Sequence, residues 1–363
     1  MPTPNPALPN PALPNPALPN PALPNPALPN PALSRLRAGT VIPAHPLALT
    51  ADRTLDERRQ AALTRYYLAA GAGGLAVGVH TTQFEIRGAG LLEPVLRLAA
   101  DVAHESARES ARERPVLVAG ACGPTAQAVA EAELAASLGY DAVLLSPVVP
   151  GASEDDLLAR ARAVGEVLPV VGFYLQAAIG GPVLSRGFWR ALADQPSTVA
   201  VKVAAFDRYR SLDVAHGVAA SDRADQVALY TGNDDHIIGD LLAELPGGLR
   251  FAGGLLGQWA VWTRAAVEMV DGLREDPARW WGRATALTDA NAAVFDSANA
   301  FAGCIAGVHE VLRRQGLLAG TWCLDPDEGL SPGQAEELTR VSAAYPWLTD
   351  DDFVAEHRDA WLG

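Results

Sequence analysis

Lysine is almost missing from this chain. Of its 28 cationic residues, 27 are arginine and one is lysine, Lys202. A mutational preference for arginine codons accounts for the scarcity but not for where the survivor lies. Lys202 sits in the apolar run from Thr198 to Phe206, where an unpaired ammonium is costly. Buried lysines shift their pKa readily and serve as Schiff-base nucleophiles, so this residue is the first candidate for chemistry. Cysteine is scarce too. Cys122, Cys304 and Cys323 form no disulfide framework and no Cys-x-x-Cys pair, and the seven histidines are scattered. That excludes a zinc motif and fits a reducing, cytoplasmic setting. No apolar run reaches 18 residues; the longest, 66–79, is broken by glycine, so no transmembrane helix is expected. Positive charge is short overall, with a net charge of -14, which argues against nucleic acid or an anionic membrane as partner.

Apolar residues are plentiful, at 49% of 363, enough for one large domain or two ordinary ones. Six copies of Asn-Pro-Ala-Leu, spaced by proline, fill residues 5–33. Two prolines per five residues block helix and remove donors, so residues 1–36 are expected to form an extended, solvated tail. It lacks the basic start and unbroken apolar core of a signal peptide. A spacer or docking role and a slipped repeat without a role both remain open.

Beyond the tail, short apolar runs alternate with amphipathic stretches. Strands are predicted at 40–47, 75–79, 115–119, 142–146, 169–174, 198–203, 226–231 and 250–253. Helices are predicted at 55–70, 91–112, 126–138, 154–167, 186–193, 212–220, 237–244 and 259–273. The runs are continuously apolar rather than alternating, as in strands buried on both faces. Eight such pairs predict a (β/α)8 TIM barrel over residues 37–275. A doubly wound sheet would normally carry Gly-x-Gly-x-x-Gly after its first strand, and Thr50 to Thr54 contain no glycine. Helical patterns at 280–298, 302–314 and 332–343 predict a C-terminal helical extension over 276–363.

Barrel chemistry sits at the C-terminal ends of the strands. There the sequence places His80, Thr81 and Thr82 after strand two and Tyr174 at the end of strand five. Lys202 lies on strand six, Asn233, Asp234, Asp235 and His236 follow strand seven, and Gly253 ends strand eight. A phenol, an amine, hydroxyls and carboxylates on one face suit carbonyl chemistry. Asn233 to Asp235 also fit a helix cap, and Asp207 to Arg210 fit either an anion site or a solvated loop. Trp280 and Trp281 fit packing of the extension.

Tyr174 and Lys202 are 28 residues apart. With His80 to Phe84, Gly232 to Asp235, Gly316 to Gly320 and Leu330 to Pro332, that spacing resembles the dihydrodipicolinate synthase and N-acetylneuraminate lyase family of pyruvate-dependent class I aldolases. The likeness covers about residues 37–345. It implies a Schiff base on Lys202, a phenolic acid/base at Tyr174, and Thr81 and Thr82 serving a keto-acid carboxylate and Tyr174. Thr82 thereby joins the catalytic set, and Gly253 joins Thr81 and Thr82 in substrate binding. The resemblance further implies no metal and no cofactor beyond the imine, small keto-acid and aldehyde substrates, and a homo-oligomer, dimer or tetramer. Departures argue against a genuine dihydrodipicolinate synthase. Pro147 to Val149 replace the family's Pro-Tyr-Tyr, no arginine follows Tyr174 until Arg186, and His80 and Phe84 replace the glycine and glutamate of Gly-Thr-Thr-Gly-Glu. The expectation is a lyase acting on pyruvate or a related 2-keto acid. The alternatives are a dehydratase of a keto-deoxy sugar acid using the same imine, and a catalytically silent barrel with a binding role.

Overall fold

A computed structural model describes residues 30–110 and 113–363. Most of the expected tail therefore lies outside the described residues. Its last part departs from expectation: Pro31–Ala38 form a helix, α1, although residues to 36 are predicted to be extended. The repeat itself supplies the start. Asn30 caps the helix by accepting from the amides of Ala32 and Leu33, and Pro31 takes the first helical position, where a missing N–H costs nothing.

Eight parallel strands follow. They are β1 (Val41–Pro43), β2 (Gly74–Val77), β3 (Val116–Ala121), β4 (Ala142–Leu145), β5 (Val170–Leu175), β6 (Thr198–Ala204), β7 (Ala228–Thr231) and β8 (Phe251–Leu256). From β2 to β8 each pairs with its neighbours in chain order, and β1 pairs with β8. A parallel bridge between Ala44 and Ala76 joins β1 to β2, so the sheet is a (β/α)8 barrel. The helices between strands are α2 (Glu57–Ala70), α3 (Leu92–Ser110), α4 (Thr125–Ser137), α5 (Glu154–Gly165), α6 (Arg186–Ala193), α7 (Arg208–Ala219) and α8 (Ile237–Leu242). After β8 come α9 (Thr263–Glu275), α10 (Pro277–Trp281), α11 (Ala284–Val294), α12 (Cys304–Arg314), α13 (Gln334–Ala344) and α14 (Asp351–Leu362). The last of these is not predicted from the sequence.

Strand parity sorts the side chains into two cores. Ile42, Ala76, Val118, Leu144, Val171, Phe173, Leu175, Ala200, Ala204 and Tyr230 fill the barrel interior. Val77, Leu117, Val143, Val201, Val203, Leu229 and Leu256 pack outward against the helices. The α1 helix closes the floor. Leu36 is buried with the interior residues, and the Tyr230 hydroxyl donates to its carbonyl at 2.6 Å. Near the mouth, the Arg87 guanidinium clasps the Glu131 carboxylate and donates to the carbonyls of Gly78 and Gly120, tying the ends of β2 and β3 together.

Candidate active site

Alternation on β6 decides where Lys202 points. Ala200 and Ala204 face the interior, so Lys202 between them does too, and it is only 8% exposed. Its Nζ lies 4.6 Å from the centre of the Phe173 ring. Gly232, just after β7, lies against its stem: a Cβ there would come within 2.6 Å of Lys202 Cε. Among the described residues no acceptor hydrogen-bonds to the amine and no carboxylate lies within ion-pair distance. Burial therefore lowers its pKa to about 8, against a weaker opposing pull from Asp234. Asp234 is buried, and one of its oxygens accepts from the Gln258 amide at 2.8 Å. Burial raises that carboxyl to about 7, while the Gln258 amide and Lys202 pull it back. The dry site thus moves amine and acid toward their neutral forms.

Around them lies a cavity of about 120 Å³. Its walls are largely apolar, with Val79, Leu144, Phe173, Leu175, Ile179, Phe206, Phe295 and Phe301. The polar lining is His80, Thr81, Gln176, Lys202, Asp234, Cys304 and Glu328. Among the described residues no arginine lines it. Burial, then the charge of Lys202, lowers His80 to about 4, which leaves a neutral imidazole at pH 7. Glu328 comes from the segment between α12 and α13. Burial, then the carboxylates of Glu85 and Asp325, push it up to about 7. Among the described residues no group of His, Cys, Asp and Glu is placed to hold a metal ion.

The structure gathers some of the predicted residues and separates others. Lys202 and Thr81 line the cavity. Thr82 does not. Its hydroxyl donates to the His45 carbonyl at 2.6 Å and accepts from the amides of Gly78 and Val79, bracing the turn that presents Thr81. His45 is itself locked, with Nε2 at 2.9 Å from Thr64 Oγ1 and Nδ1 at 2.8 Å from the Pro46 carbonyl. Gly253 also lies outside the lining. A Cβ there would strike the Thr40 carbonyl at 2.3 Å, so close strand packing explains the glycine.

Tyr174 is the main correction. It faces the helices and stacks on Trp189, with ring centres 5.5 Å apart. A bulge explains why. β5 pairs Val170 with Thr198 but Val171 with Ala200, so Phe173 stands opposite Lys202 while Tyr174 stands opposite Val203 on the outer face. The spacing of 28 residues assumes an unbroken register, and the extra residue in β6 hands the inward place to a phenylalanine.

Asn233 is structural. Its side chain donates to Asp240 and accepts from the Phe206 amide, holding Phe206 in a left-handed conformation at the cavity wall. The Asp235 carbonyl accepts from Thr288, and the His236 ring meets the edge of Trp281. Asp207 caps α7, Arg208 pairs with Asp240, Arg210 pairs with Asp213, and Tyr209 is 82% exposed, so this loop is not part of the cavity. Trp280 is buried and Trp281 exposed. Sequence reasoning undervalued Asp234 and missed Phe173, Cys304 and Glu328. Strand parity from Lys202 flags Phe173 only if the bulge is known, and no local pattern marks Glu328.

No protein-family model matches the sequence, and no curated protein matches it either. Solved structures match the fold. Dihydrodipicolinate synthase from Oceanobacillus iheyensis superposes with a TM-score of 0.70 at 19% identity, covering 84% of this chain and 96% of that one. YagE of E. coli K12, a prophage protein of the dihydrodipicolinic acid synthase family solved with pyruvate, gives 0.71 at 21%, covering 84% and 98%. CdNal from Clostridium difficile, solved with mannosamine, gives 0.68 at 14%, covering 85% and 99%. The chain has the fold of the dihydrodipicolinate synthase family, at low identity.

Proposed function

We propose that this protein is a divergent, Schiff-base-forming lyase or aldolase of the dihydrodipicolinate synthase-like kind. Its substrate is pyruvate or a related 2-keto acid, condensed with or released from an aldehyde. The observation that carries this reading is Lys202: the chain's one lysine, inside the barrel, without a partner among the described residues and with its pKa lowered to about 8. A free amine attacks the keto carbon, and loss of water leaves an iminium that draws electrons from the adjacent carbon. Asp234 balances the charge of the amine and iminium from a fixed position. Thr81, and the neutral His80 beside it, offer polar contacts in the cavity lining. The aromatic walls, and a lining without arginine among the described residues, favour an uncharged, apolar aldehyde. The imine needs no metal or other cofactor, and the homo-oligomer that the sequence resemblance implies belongs to the same proposal. Borohydride reduction in the presence of pyruvate, followed by peptide mapping, tests the reading through an adduct on Lys202.

A further inference from the structure

With Tyr174 turned outward and Phe173 beside Lys202, strand five supplies no proton-transfer group to the cavity. The chain brings one from elsewhere. The segment between α12 and α13 crosses the mouth of the barrel and is fastened on both sides. On the β2 side, the Leu324 amide donates to Gln83 Oε1 at 2.6 Å, and Arg53 donates to the Cys323 carbonyl at 2.9 Å. On the other side, the Ser331 hydroxyl donates to Asp296 and the Ser331 amide to Gln334 Oε1 at 3.1 Å. Gln334 in turn donates to the Gly303 carbonyl at 3.0 Å. Between these fastenings Glu328 reaches the cavity wall. The turn before α12 that receives the strap holds Asp296, Ala300 and Phe301 at φ 57, 52 and 69, backbone that stays in place only when its surroundings enforce it.

We propose that Glu328 is a catalytic acid/base of this site, serving the lysine imine from a strap of the C-terminal extension in place of a strand-five phenol. This rests on the Schiff-base reading. In the condensation direction, the Glu328 carboxylate takes a proton from the substrate carbon next to the iminium. The C–H electron pair forms the enamine double bond, and the C=N pair returns to nitrogen. The enamine C=C pair then forms the bond to the aldehyde carbon while the nitrogen pair restores C=N. The aldehyde π pair moves to oxygen, that oxygen takes the proton from Glu328, and water hydrolyses the iminium to release product and the Lys202 amine. The carboxyl ends as it began. A carboxyl held near pH 7 by burial and by Glu85 and Asp325 can both accept and donate at neutral pH.

The test separates this role from imine formation. Exchange of pyruvate's methyl protons with D2O is followed by NMR, and adduct formation by borohydride trapping, in the full-length protein. Glu328→Gln is expected to keep trapping at Lys202 while exchange falls by about 100-fold or more. Glu328→Asp, which keeps the carboxyl, should recover part of that loss. A merely structural strap residue would lower trapping and exchange together, and that result overturns the proposal. So does exchange within about threefold of the native rate in Glu328→Gln, a value below the usual acid/base effect. Loss of exchange in Asp234→Asn with none in Glu328→Gln moves the role to Asp234 and overturns it too. Absence of any adduct in the native protein removes the Schiff-base reading, and this inference with it.

Discussion

Lys202 owes its character to its surroundings rather than to a partner. A pKa near 8 leaves about one amine in ten free at pH 7, against about one in three thousand for an ordinary lysine. Burial disfavours the ammonium, so the free fraction grows as pH rises through 8 and falls below it. The rate of adduct formation with pyruvate should therefore rise about tenfold from pH 6 to pH 7 and level off above 8. A stopped trapping assay across that range checks it; a rate still climbing steeply at pH 9 and above would mean a solvated lysine. Arginine cannot take this place, because guanidinium does not deprotonate to form an imine.

Strands and helices were largely legible because burial on both faces writes continuous apolar runs. The 75–79, 142–146 and 198–203 runs fall within two residues of β2, β4 and β6. The first strand is shorter than its apolar run because Pro43 and Pro46 limit its ladder. What sequence cannot show is register. One extra residue at Val199 puts Phe173 rather than Tyr174 beside the lysine. The same limit applies to Glu328, whose place depends on hydrogen bonds to Gln83 and Asp296, each far away in the chain. Lys202 was legible because composition and local apolarity coincide there. The register makes a prediction opposite to the one the spacing suggests. Tyr174→Phe should leave turnover within about twofold and trapping unchanged, because its ring packs on Trp189 and acid/base effects are of order 100-fold when the group is real. A loss of that size would place the phenol in the reaction and contradict the described strand pairing.

At the scale of the whole molecule, the barrel is stopped at one end and roofed at the other. Leu36 of α1 is 2% exposed under the interior residues, so Leu36→Ala should cost about 2–4 kcal/mol in urea unfolding, with trapping at Lys202 retained. A cost within about 0.5 kcal/mol, the range of an ordinary surface change, would show that the floor does not need the helix. The C-terminal extension is tied to the barrel through the buried Asp350 carboxyl, which accepts from the Tyr66 hydroxyl at 2.7 Å and the Arg264 amide at 3.0 Å and is held from within the extension by Gln315 at 2.8 Å. It delivers Phe295, Phe301, Cys304 and Glu328 to the cavity, so one chain supplies walls, amine and carboxyls. We propose that this enclosure makes and protects a lysine imine. Borohydride with pyruvate or another 2-keto acid, read by peptide mass mapping in the native protein and in Lys202→Arg, tests it most directly. One covalent adduct is expected, on Lys202, absent from the variant. No adduct with any 2-keto acid, or an adduct that persists in Lys202→Arg, would contradict it.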